Sequence, residues 1–242
     1  MAVRNFRIDT TRVPNHVPAR AMEWSVSQSC SLTNVHINMP ISSGHTGISM
    51  TYGGSAVLIS DCVGIPLIFL YPASQYISPF SILHSQPHII FFPQPAPVNI
   101  PPGVADKETQ TFKGGAIGLQ VASQQYLLKS LSFTDTETAI FFKWSHVTTI
   151  QNTHFTNCRF GIDAARPGSV GTISVVDSSV TNCEAGVLTH VSGAGQNSVV
   201  LDGFVVTEGG VAVRSSSEGG GVGEVILGGS VEIGKVWVLG NT

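Results

Sequence analysis

Glycoside hydrolysis needs two carboxyl groups, about 5 Å apart when configuration is retained and roughly 6.5 to 9.5 Å apart when it is inverted. Glu137, Arg159 and Glu184 each stand four residues after an apolar anchor (Phe133, Phe155 and Val180), which makes a column of alternating charge. A solvent-exposed ion ladder of little energetic weight accounts for this column better than catalysis does. An arginine between two glutamates lowers their pKa, whereas a general acid needs its pKa raised. Asp135 and Glu208 share a second column with Asn157 and Asn182, where stacked amides would satisfy a turn. Ser123-Gln124-Gln125-Tyr126 sets two amides side by side, able to hold a sugar hydroxyl or a water, or to form a polar turn. Phe141-Phe142-Lys143-Trp144 clusters aromatic rings, which stack on sugars or cap a core.

Other familiar chemistry has no motif here. The sequence contains no GxSxG nucleophile elbow, HExxH, Walker A or EF-hand loop. Gly219-Gly-Gly-Val-Gly lacks the GxGxxG spacing and reads as a turn. No cofactor is expected. The histidines of the repeats, His146, His154 and His190, share no column, and the four cysteines fit no metal spacing such as C-x-x-C. Cys158 and Cys183, each within Thr-Asn-Cys, fall at the same repeat position. Stacking would bring them within disulfide reach, and a buried thiol stack is the favoured reading.

These groups must be positioned by a ladder running from Thr111 to Arg214. Phe112, Phe133, Phe155, Val180 and Val206 recur at intervals of 21, 22, 25 and 26 residues. Seven residues after them stand Leu119, Ile140, Ile162, Val187 and Val213, each preceded by Gly118, Ala139, Gly161, Gly186 or Ala212. Leu128, Ile150, Val175 and Leu201 form another apolar column five residues before the anchors. Such a period marks stacked repeats, each unable to bury its own apolar face. Short β-rich runs broken by Gly, Asn, Asp and Ser favour strands over helix pairs. The expected fold is therefore all-β, a single-stranded right-handed parallel β-helix with one coil per repeat.

Composition agrees with this. At 242 residues the chain suits one elongated domain, and charged residues reach only 11% with 26 glycines. A net charge of −3 gives no electrostatic footprint for nucleic acid. No proline-free apolar run is long enough to cross a membrane. Met1–Asp9 has no apolar segment of the secretory kind.

Residues 1–62 read as N-terminal coils of the same helix and 111–242 as coils continuing to the last residue, where Val231-Glu-Ile-Gly-Lys-Val-Trp-Val-Leu-Gly closes as a strand pair. Residues 63–110 break the pattern, holding nine of the thirteen prolines, which cannot donate to a sheet ladder. When they are excised, Ile59 lands in the column of Leu128, Val57 in that of Tyr126, Thr148, Ile173 and Val199, and Asp61 in that of Ser130, Asn152, Asp177 and Gly203. This insertion is read as a translated intron, since a valine codon begins with GT and a glutamine codon can be CAG. The alternative is a lid over a groove.

Ala21-Met-Glu-Trp-Ser-Val-Ser-Gln-Ser-Cys-Ser-Leu-Thr-Asn, Ser123-Gln-Gln-Tyr with Leu131-Ser-Phe, Thr138-Ala-Ile-Phe-Phe-Lys-Trp and Val236-Trp-Val-Leu-Gly resemble the first half of glycoside hydrolase family 55. Its members are mostly fungal exo-β-1,3-glucanases built from two pectate-lyase-like β-helices. The resemblance implies β-1,3-glucan as partner, cleavage by inversion between the two helices, and an extracellular location. It implies that Gln125, or its neighbour Gln124, holds the attacking water, and that Trp144 binds substrate. The family's general acid is a glutamate of the second helix, which this chain is expected to lack, so the chain alone is expected to be inactive and poorly soluble. The competing readings are a non-catalytic carbohydrate-binding or structural β-helix, and a polysaccharide lyase on the same scaffold.

Overall fold

The computed structural model describes residues 2–25, 28–51, 57–60, 110–191, 196–217 and 221–240. Asp61, Cys62, Gly219, Gly220 and residues 63–109 lie outside them. Residues 1–62 and 108–242 make one compact unit. Its seventeen strands belong to one hydrogen-bonded set with no helix among the described residues.

Each coil of a right-handed parallel β-helix lays one strand on each of three faces. The first face stacks residues 2–4, 31–33, 57–60, 125–129, 147–151, 172–176 and 198–202. The second stacks 6–9, 35–38, 110–113, 131–134, 154–156, 178–181 and 204–207. The third stacks 20–23, 46–49, 117–120, 138–141, 160–164, 185–189 and 213–216.

The chain turns from the first face to the second at single left-handed residues. Asn34, Ser130, Asn152, Asp177 and Gly203 have φ between 48° and 60°. Asn and Asp tolerate this region because their short polar side chains bond locally. The next corner repeats the device with Asp135, Asn157, Asn182 and Glu208. Asn157 Nδ2 donates to Asp135 Oδ1 at 3.1 Å, and Asn182 Nδ2 to Asn157 Oδ1 at 2.9 Å. The expected amide ladder is present.

Every apolar column of the sequence lines the interior. Ile59, Leu128, Ile150, Val175 and Leu201 pair in register and are fully buried. So do Leu119, Ile140, Ile162, Val187 and Val213 on the third face. On the second face the Phe112, Phe133 and Phe155 rings stack with centroids 4.6 and 5.6 Å apart. The small column makes room for them. A Cβ on Gly118 would lie 2.7 Å from the Phe133 ring, and one on Gly161 would lie 3.1 Å from that of Phe155. Where the anchor shrinks to Val180, Phe204 fills the gap from the next coil, 2.7 Å from a Cβ built on Gly186.

The last coil is covered by two antiparallel strands, one on each of two faces. Val222–Leu227 runs antiparallel to Val213–Ser216 on the third face, and Val231–Leu239 runs antiparallel to 199–204 on the first. Val231 is buried while Trp237, Leu239, Ile226 and Leu227 pack against the core. The outward side chains Ile233, Val236 and Val238 remain exposed. The strand pair expected within residues 231–240 is instead a single strand, Val231–Leu239.

Candidate functional site

Gln125 sits on the first face, opposite Val147 of the next coil. Strand alternation points Tyr126 and Leu128 into the core and leaves Gln125 and Leu127 outside. Val57, Leu58, Gln125, Tyr126, Leu127 and Val147 line a hollow of about 360 Å³. Leu127 and Val147 are 37% and 46% exposed. Large apolar side chains with a single amide beside them suit the apolar face and a hydroxyl of one sugar ring. The Tyr126 hydroxyl is committed inward, donating to the Met50 sulfur, and burial pushes its pKa up.

The neighbouring candidates fall elsewhere. Gln124 is exposed but does not line this hollow. The strand register shifts between Val121 and Ala122, so that Trp144 pairs with Ala122 at the bend before the first face. Its ring is half-buried, packed on the core and edge-on to His146 with centroids 6.0 Å apart.

The charged column is an ion ladder. Arg159 lies 3.7 Å from Glu137 and 3.0 Å from Glu184, with all three side chains 40–60% exposed. The Arg159 guanidinium also covers the Phe160 ring at 4.7 Å. A groove of about 610 Å³ beside it is lined by Ser42, Ser43, Asp135, Glu137, Asn157 and Arg159 among others, but these charges and amides are spent on one another. The hollow at Gln125 is the better site on chemical grounds. Among the described residues no three His, Cys, Asp or Glu side chains gather as metal ligands.

Two carboxyl groups stand out that sequence spacing did not single out, both on the third face. Burial holds Asp163 above the usual carboxylate range, against the Ala165 amide and the Arg166 and Arg159 charges. Glu23 is the reverse case. It accepts hydrogen bonds from the Ser25 hydroxyl (2.6 Å), the Thr51 hydroxyl (2.7 Å) and the Thr51 amide (3.1 Å). The Ser25 bond leads in drawing its pKa down to about 2. The Asp163 shift was not legible because burial causes it, and that of Glu23 because Thr51, which gives two of its three hydrogen bonds, comes from the next coil. The depressed pKa makes Glu23 a stabilising group above the unfolded value of 4.5, and that contribution disappears as pH falls from there through about 2. In acid titrations followed by circular dichroism, Glu23→Gln is expected to flatten this part of the stability profile. An unchanged profile would mean that these bonds do not hold in solution.

Parallel coils with one-residue left-handed corners, stacked rings inside and a sugar-sized hollow outside define a pectate-lyase-like β-helix. The model of the rhamnogalacturonase A/epimerase, pectate lyase-like family matches residues 1–65 and 101–163, more than half of the chain, and the chain belongs to that family. A Probable glucan endo-1,3-beta-glucosidase of Arthroderma benhamiae is 29% identical over 137 residues, covering 54% of this chain and 15% of that protein. The Non-secreted LysM effectors LysM15 and LysM19 of Penicillium expansum are 21% and 23% identical, and each alignment covers 99% of this chain. The chain spans 14% and 16% of the length of those two proteins.

Proposed function

We propose that this chain is the first β-helix of a β-1,3-glucan hydrolase of the family 55 type, and that it holds glucan at the outward hollow of its first face. The observation that carries the reading is the exposed Gln125 amide beside the apolar walls of Leu58, Leu127 and Val147. The similarity to the glucan endo-1,3-beta-glucosidase supports the same substrate class. A glucose unit rests its apolar face on Leu127 and Val147 while Gln125 bonds a hydroxyl or the attacking water. Trp144, at the bend before the first face, takes a neighbouring sugar. The general acid comes from a second β-helix, across the groove from Gln125, with inversion at the anomeric carbon. An extracellular polymer as substrate places the site of action outside the cell.

Loss of one neutral hydrogen bond costs about 1 kcal/mol, or roughly a fivefold to tenfold weakening. In calorimetric titration with laminarin, Gln125→Ala is expected to weaken binding by about that factor, while Gln124→Ala leaves it near the parent value. The 242-residue chain alone is expected to release no glucose. Equal binding by the parent and Gln125→Ala would remove Gln125 from the site, and glucose release by the purified chain would refute the assignment of the acid to a second helix.

A further inference from the structure

Cys158 and Cys183 stand at one rung of successive coils, each directly after a left-handed corner residue, Asn157 or Asn182. The backbone around them is in register. Thr156 pairs with Thr181 and Phe160 with Ala185. The Asn157 amide donates to the Thr181 carbonyl at 3.0 Å, and the Ala185 amide to the Arg159 carbonyl at 3.2 Å. Neighbouring strands lie about 4.8 Å apart, inside the roughly 4.4 to 6.8 Å range of Cα separations that a disulfide spans. Both thiols are free and buried, and each donates to a backbone carbonyl of its own coil, Cys158 to Thr156 and Cys183 to Thr181, at 3.4 Å.

The two sulfurs differ in surroundings. Cys158 lies between Thr136, itself 1% exposed, and Cys183. The rung after Cys183 is Gly209, where an added Cβ would meet nothing within 4 Å. Gly209 therefore adds no side chain at this corner, and Cys183 keeps 4% exposure.

We infer that Cys158 and Cys183 form a redox modification site, closing to a disulfide between adjacent coils by exchange with a small-molecule disulfide such as oxidised glutathione. Cys183 reacts first, as a thiolate approached from the Gly209 side. Its sulfur attacks one sulfur of the small disulfide, a mixed disulfide forms, and one glutathione thiolate leaves. The Cys158 thiol then gives its proton to water and its sulfur attacks that of Cys183, expelling the second glutathione thiolate. Two protein thiols are oxidised and one small disulfide is reduced to two thiols. The pairing of the two thiols favours this order, lowering the pKa of Cys183 and raising that of Cys158, which burial raises further.

The test uses the whole chain, reduced, then held in excess oxidised or reduced glutathione, with peptide mapping by mass spectrometry and thermal unfolding of both samples. The oxidised sample is expected to yield a Cys158–Cys183 linked peptide pair lacking two hydrogens. Its unfolding midpoint is expected to rise by roughly 5 to 10 °C, because the bond closes a loop of about 25 residues. In Cys158→Ser the shift vanishes and Cys183 retains a glutathione adduct. The inference is overturned if both thiols stay free while the urea-unfolded chain is oxidised, if the parent stops at the adduct, or if the link forms to Cys30 or Cys62. The peptide map of the parent chain decides the matter even where the variant does not fold.

Discussion

Phe133→Ala is expected to destabilise the chain by about 3 to 5 kcal/mol, measured as a lower urea midpoint with an unchanged slope. Phe133 is fully buried and its ring is the middle one of three, 4.6 Å from Phe112 and 5.6 Å from Phe155 at interplanar angles of 12° and 14°. Truncation therefore removes two stacking contacts as well as buried area. Relaxation cannot close the gap, because Gly118 and Ala139 offer no side chain to move in from the small column. Against a typical total of about 5 to 15 kcal/mol, one ring carries a large share of the stability. Phe133→Leu is expected to cost less, since Val180 and Val206 already occupy this column. A loss below about 1 kcal/mol for the alanine variant would mean that the rings do not stack as described.

Excision of residues 63–110, joining Cys62 to Thr111, is expected to leave the β-helix intact and more stable. On either side of the segment the register already agrees. Val57 pairs with Tyr126 and Ile59 with Leu128, while Phe112 pairs with Phe133. Gln110 stands opposite Leu131, the place that excision gives to Cys62, in a column that also holds Phe6, Val35, Thr153, Ser178 and Phe204. The family model likewise leaves residues 66–100 unmatched. Residues 63–110 are accordingly proposed to be a translated intron. Closing a 48-residue connection instead of a one-residue corner costs on the order of 3 kcal/mol of chain entropy, so the unfolding midpoint should rise by about 6 to 12 °C. A variant that loses its cooperative transition would show that the segment belongs to the fold, and a transcript retaining these codons would end the intron reading.

The fold was legible because a parallel β-helix repeats its chemistry once per coil. Ile150 and Val175 align in the sequence for the same reason that they touch in space. The corner columns could be found too, since a left-handed residue favours Asn and Asp, as at Asn152 and Asp177. Phe204 was not foreseen as the filler beside Gly186, because that contact joins different columns of neighbouring coils. The division of the last two strands between faces was equally hidden, as antiparallel pairing breaks the repeat. At the site, sequence brought Gln124, Gln125 and Trp144 together through a resemblance. The bend at Val121 and Ala122 separates their environments, leaving Gln125 in the hollow and Trp144 against the core.

The most direct test of glucan recognition by this face is a titration of the isotope-labelled chain with laminarihexaose, followed by chemical-shift mapping. Saturable shifts centred on Leu58, Gln125, Leu127 and Val147 are expected, with the midpoint moved to roughly fivefold to tenfold higher ligand in Gln125→Ala. Shifts clustered instead around Asp135, Glu137 and Arg159, or no saturable shift at all, would contradict it.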